Sequence, residues 1–196
     1  MTSERDRQSS DDLPLITFDS PGPVPRLKDP RGRGLAHYDA FEHMIHTRAE
    51  AAACVQRFIQ QARRSICIYS HDLESWLYHT EACAEACKAL LTRQHRSRLR
   101  ILVRDSERVE SDHRLVRLSH RLTSNIAIRR LNPDYAIEAG GFLIVDDDCL
   151  FSRPVAAEPT GKATTGDRAS VRRFQTRFDQ AWDYSIDDPN LRSILL

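Results

Sequence analysis

The chain has 196 residues, with 29 lysines and arginines against 28 aspartates and glutamates and a formal net charge of +1. That balance excludes a global field able to recruit nucleic acid or an acidic membrane, and the length suits one domain of roughly 150 residues plus a tail. Five scattered cysteines without a Cys-x-x-Cys pair fit a reduced, cytoplasmic protein, and neither a secretory leader nor a membrane span is expected.

Taken in chain order, residues 1–36 are expected to form a flexible N-terminal arm and 37–196 a single domain. The arm is rich in proline and glycine, as in Pro21-Gly22-Pro23-Val24-Pro25. Its apolar patch, Leu13, Leu15, Ile16 and Phe18, is a loose tail touching the surface, an extended edge docked on the domain, or a segment that a partner reads. From Tyr38 to Arg64 the spacing of Phe41, Met44, Ile45, Val55, Phe58 and Ile59 predicts a helix. Ser65 to Ser70 switches to a short β-rich run, a buried strand. A helix over Ala82 to His95, a strand over Leu99 to Val103 and a helix over Asp112 to Leu122 follow, with Asp112 as a candidate cap. Ile126 to Leu131 alternates as a third strand. Phe142 to Val145 and Cys149 to Ser152 read as a hairpin through Asp147-Asp148. After a polar loop, Val171, Phe174, Phe178, Ala181 and Trp182 mark a closing amphipathic helix.

Strands separated by helices imply an α/β fold: a mostly parallel mixed sheet flanked by helices on both faces. The order from Ser65 to Ser185, with Gly140-Gly141-Phe142-Leu143-Ile144-Val145-Asp146 as a core strand, resembles one lobe of the phospholipase D-like fold. Ile68-Tyr69-Ser70-His71-Asp72-Leu73, His113-Arg114-Leu115 and Phe178-Asp179-Gln180-Ala181-Trp182 are similar to an uncharacterised bacterial domain family of that fold, sometimes found beside acetyltransferase domains. The resemblance implies a reaction that needs a histidine to attack phosphorus and a lysine to hold the phosphoryl oxygens. With Asp146 set on the family's aspartate, Ala139 stands at the histidine and Gly141 at the lysine, and no histidine follows His120. Phe151-Ser152-Arg153-Pro154 stands where the family often has Gly-Ser-x-Asn. The expectation is a pseudoenzyme without catalytic residues. Single lobes of the fold pair across the active face, so the resemblance also implies a possible homodimer.

What remains is a pocket. In open α/β sheets ligands bind beyond the carboxyl ends of the strands. His71 and Asp72, Arg104 and Asp105, Arg130 and Asp146 are expected there, with His113 and Arg153 as further ligand-binding candidates. Arginines beside carboxylates suit a phosphate-bearing ligand and equally suit structural ion pairs. No cofactor and no metal are expected. His37, His43 and His46 near a helix start lack a metal motif, and Cys83 and Cys87 lack zinc partners. Arg93, His95, Arg96, Arg98 and Arg100 form a basic run without aromatics to stack on bases. Arg168, Arg172, Arg173 and Arg177 form the outer face of the last helix, while Trp76 and Trp182 read as core anchors. Three functions stay open: a non-catalytic module binding a partner protein or an anionic ligand; a hydrolase or phosphotransferase with a relocated site; and a nucleic-acid-associated factor.

Overall fold

A computed structural model of the chain describes residues 41–134, 140–188 and 191. The expected N-terminal arm, His37 and Ala139 lie outside the described residues. Among those residues the chain runs β1 (Phe41–Ile45), α1 (Arg48–Gln61), β2 (Ser65–Ser70), α2 (Ser75–Tyr78), α3 (Glu81–Arg93), β3 (Arg98–Val103) and α4 (Arg114–Arg121). It continues with β4 (Ile126–Arg130), β5 (Gly141–Val145), β6 (Cys149–Arg153), β7 (Gly161–Thr165) and α5 (Arg168–Asp183).

The period-two alternation of the central strands builds two cores. Ile66 and Ile68 of β2, Leu99 and Ile101 of β3, and Leu143 and Val145 of β5 face α1 to α4. Cys67 and Tyr69, Leu102, and Phe142 and Ile144 face the other way, onto Val171, Phe174, Phe178 and Ala181 of α5. Strands covered on both sides must be apolar at every position, which is why these runs are continuous rather than alternating with polar residues. Helices therefore flank both faces, as the pattern implies.

The sheet has seven strands in the order β1-β7-β6-β5-β2-β3-β4. It is mixed: β2, β3 and β4 are parallel neighbours, and the other pairings are antiparallel. Strands β1, β6, β2, β3 and β4 share one direction, and β5 and β7 oppose it.

Four local expectations are corrected. The helix expected from Tyr38 begins only at Arg48, because Thr47 caps it by accepting from Glu50 N at 3.2 Å while Glu50 accepts from His46 N at 2.9 Å. Upstream, Phe41 to Ile45 is an extended strand on β7, so His43 and His46 share no helix face. The expected polar loop contains β7, whose Ala163 and Thr164 are buried. The cap of α4 is His113, whose Nδ1 accepts from Leu115 N at 3.2 Å, rather than Asp112. Among the described residues no helix is long and apolar enough to cross a membrane.

Candidate functional site

Strands β2, β3, β4 and β6 end at one edge of the sheet, and β5 begins there. At the end of β2, Leu73 adopts a left-handed φ of 59° while fully buried, and Ser70 Oγ accepts from its amide at 2.8 Å. This turn folds Glu74 back beneath the sheet edge, where Ser70 Oγ donates to Glu74 Oε2 at 2.5 Å. Glu74 Oε1 meets Arg153 Nη2 at 2.6 Å, with side chains only 7% and 1% exposed. Arg153 also donates to the carbonyls of Ala156 at 2.7 Å and Glu158 at 3.3 Å. A fully desolvated guanidinium needs that number of partners.

Gly141 lies directly against this pair. A Cβ there would stand 3.2 Å from Arg153 Nη2 and 3.0 Å from the Tyr69 carbonyl oxygen. The position that the family resemblance sets on lysine is therefore closed by a different cation, already bound to a carboxylate. At Gly140 a Cβ would fall 1.8 Å from the Arg153 carbonyl oxygen, so only glycine fits that approach.

Above the pair opens a cleft of about 540 Å³ that includes Arg48, His71, Asp72, Trp76, Arg108 and Glu110 in its wall. Trp76, expected as a core anchor, packs half-buried against the larger core and also borders the cleft, 5.3 Å from the guanidinium of Arg48 and equally far from that of Arg153. The acids of the cleft are muted. Glu74 is neutralised by Arg153, and Glu110 accepts from Ser75 Oγ at 2.5 Å. Burial and then the charge of Glu74 push the Asp72 carboxyl above the usual carboxylate range, although His71 stands 3.9 Å away. Asp72 Oδ1 is buried without a hydrogen-bond partner among the described residues. Arg108 pairs with Asp105 at 3.1 Å, while Arg48 meets no carboxylate among the described residues.

His71 also lines a smaller neighbouring cleft of about 310 Å³ with Arg104 and Asp105. The structure thus brings His71, Asp72, Arg104 and Asp105 together, as expected from strand ends. Arg130 lies at the same edge, against Asp188 at 3.4 Å, and Asp188 accepts from Ser106 Oγ at 2.6 Å. Asp146 is not at this edge. Because β5 runs antiparallel to β2, its carboxyl end lies beside Ser65 at the opposite end of the sheet.

His113 is fully buried behind the cleft, its ring edge-on to His79 at 4.8 Å. Burial first, then the neighbouring His79, pull its imidazole down to about 4 from the ordinary 6.5. Folding therefore excludes the protonated ring: the stability it contributes is complete above pH 6.5 and is lost as pH falls toward 4. Urea unfolding is expected to show a loss of about 2 kcal/mol by about pH 5 from this group. His113→Asn, which keeps an N-cap acceptor but cannot titrate, flattens that dependence. An equal acid loss in the variant assigns it elsewhere. In front of His113, donor atoms of His79, Glu110 and Asp112 lie within 4.8 Å of one another and have the chemistry to hold a divalent cation. The His79 atom that faces Glu110, Nδ1 at 3.7 Å from Oε2, already accepts from Arg114 N at 3.3 Å, so a cation there would compete with that amide.

Residues 47–194 match the family described as a domain of unknown function (DUF7931). No curated protein matches in sequence. Among solved structures, the chain is similar to Nuc from Salmonella typhimurium, a phospholipase D family member, at 16% identity and TM-score 0.57, covering 79% of this chain and 100% of that one. NucT from Helicobacter pylori gives 14% identity, TM-score 0.56, and coverage of 76% and 100%. TrmBL2, an archaeal chromatin protein whose structure shows a novel mode of DNA binding, gives 11%, 0.56, and coverage of 75% of this chain. The chain spans 54% of TrmBL2. At these identities the likeness is one of fold, and the fold is phospholipase D-like.

Proposed function

For a chain that belongs to the DUF7931 family and has the phospholipase D-like fold, we propose a non-catalytic module that binds an anionic, phosphate-bearing ligand in the cleft at the carboxyl edge of the sheet. One observation carries the reading: the space against Gly141 is filled by the buried Arg153–Glu74 pair. A cation so committed cannot release its carboxylate to hold a transferring phosphoryl group without leaving Glu74 buried and unpaired. Family chemistry has no lysine at 141, and the residues of the cleft offer binding instead. Arg48 and Arg108 supply forks suited to phosphate oxygens. The unpartnered Asp72 Oδ1 would accept from a phosphate hydroxyl or from a donor on the ligand body.

The test is a thermal-shift titration of the whole chain with inorganic phosphate, nucleotides and sugar phosphates, beside an assay with a generic phosphodiester. A ligand at 100 times its Kd stabilises by about 2.7 kcal/mol. The expected result is such a shift, removed by Arg48→Ala or Arg108→Ala, and no turnover. Turnover abolished by His71→Ala would replace this reading with a relocated active site. A blank with every phosphate compound would replace it with a protein partner.

A further inference from the structure

The net charge of +1 conceals an uneven distribution. At the end of the sheet opposite the cleft, two separate turns and a helix bring arginines together. Arg63 and Arg64 occupy the α1–β2 turn, whose backbone N–H groups are held by the Asp146 carboxylate at 2.9 and 2.8 Å. The α3–β3 turn, carrying Arg96, is tied to it by the first residue of β3, since Arg98 N donates to the Arg64 carbonyl at 3.0 Å. Asn125 braces that second turn by donating to the carbonyls of His95 and Ser97 at 3.1 and 2.9 Å. The first turns of α5 add Arg168 and Arg172, which line a cleft of about 460 Å³ with Ser65, Arg100 and Asp147.

The acids at this end do not cancel them. Asp146 is occupied by three backbone amides, Asp167 accepts from Ser170 N, and Asp179 is paired with Arg100 at 2.8 Å. Among the described residues, Asp147 and Asp148 remain as nearby carboxylates without such a role. Arg63, Arg64, Arg96, Arg168 and Arg172 are all exposed, and none is paired with a carboxylate among the described residues.

We infer that this basic end is a second binding surface, separate from the cleft, that takes the phosphodiester backbone of nucleic acid. Guanidinium groups spread over several rigid turns match a row of phosphates better than one small anion. No exposed aromatic side chain stands in these turns among the described residues, so nothing there stacks on bases and the binding is blind to sequence. The exposed large apolar residues, Phe41, Met44, Val155, Tyr184 and Ile186, also lie outside these turns. Among the described residues Phe41, beside Thr165 at the start of β1, is the large exposed apolar side chain at this end, and one such side chain is too little to anchor in a bilayer, which favours nucleic acid over anionic lipid.

The experiment is fluorescence anisotropy of the whole chain with a mixed-sequence duplex of about 30 base pairs across about 50 to 200 mM salt. With roughly four phosphates neutralised, affinity is expected to fall about 100-fold over that range. Arg168→Ala with Arg172→Ala should weaken low-salt binding at least about tenfold and reduce the salt slope by about 2. Arg63→Ala with Arg64→Ala, in a different element, should act likewise, and circular dichroism checks that both variants fold. Arg48→Ala in the opposite cleft should leave duplex binding unchanged. The proposal is overturned by absence of binding at low salt, by a flat salt dependence, or by full binding in both double variants. Stronger binding to phosphatidylserine–phosphatidylcholine vesicles than to the duplex overturns it in favour of a membrane surface.

Discussion

Arg153→Met is expected to destabilise the domain by about 3–5 kcal/mol, because it removes one partner of a buried ion pair and leaves the other charged and dry. Glu74 would remain 8% exposed beneath the sheet edge, with Ser70 Oγ as its remaining hydrogen-bond donor. The carbonyls of Ala156 and Glu158 would lose their shared donor as well. At roughly 2–4 °C per kcal/mol for a domain of this size, the melting temperature should drop by some 10 °C. Glu74→Gln should cost nearly as much, since it leaves the guanidinium without a counter-charge. The double variant Glu74→Leu with Arg153→Met should recover much of the loss, because an apolar pair of similar volume carries no desolvation penalty. Urea unfolding of Arg153→Met, Glu74→Leu and the double closes the cycle. Singles that cost under about 1 kcal/mol would show that water reaches the pair, and the argument that Arg153 is fixed in place of a lysine would fail with it.

How much of this was legible from the residues follows from what each signal encodes. Periodicity reports burial, so Ile66 to Tyr69, Leu99 to Val103 and the Phe174–Phe178 face of α5 were readable, and their order carried the fold resemblance. Edge strands bury little. Phe41 and Met44 face solvent on β1, and their spacing mimicked a helix until the Thr47–Glu50 capping box. That Thr-x-x-Glu pattern was in the sequence and marks the helix start by itself. The β7 run, Gly-Lys-Ala-Thr-Thr, is too short and polar to announce a strand, and only its pairing with β6 and β1 makes it one. In the site, His71, Asp72, Arg104 and Asp105 were accessible because residues just after parallel strands gather at one edge. Glu74 and Arg153 were not, as a pair: they meet across 79 positions, and no local pattern relates a turn carboxylate to an arginine in a later strand. The direction of β5 was equally hidden, and with it the location of Asp146.

Asp146→Ala is the second large effect, expected at about 3 kcal/mol, and it tests what the carboxylate at the end of β5 does for the fold. The carboxylate accepts from Arg63 N at 2.9 Å, Arg64 N at 2.8 Å and Ser65 N at 2.9 Å, joining segments more than 80 positions apart in sequence. Its own amide donates to the Ser65 carbonyl at 2.9 Å, which sets the register of β5 against the start of β2. Hydrogen bonds to a charged acceptor are worth more than neutral ones, but two of these three amides are exposed and would find water, so the three do not add in full. The backbone contributes separately: Asp146 has φ 52°, a conformation that aspartate and asparagine tolerate and alanine does not. The variants should therefore rank by mechanism. Alanine loses both the bonds and the compatible backbone, glycine loses only the bonds at about 2 kcal/mol, and asparagine keeps one acceptor and the backbone at about 1 kcal/mol. Urea unfolding gives the ranking. Phosphate binding in the cleft should be unchanged in the asparagine variant, because that cleft is at the other end of the sheet, whereas duplex binding should weaken as the Arg63–Arg64 turn loosens. A near-neutral alanine variant, or glycine worse than alanine, would mean that the aspartate does not clamp this junction. With the clamp established, the aspartate at the end of β5 is explained by the junction it holds, at the end of the sheet opposite the cleft.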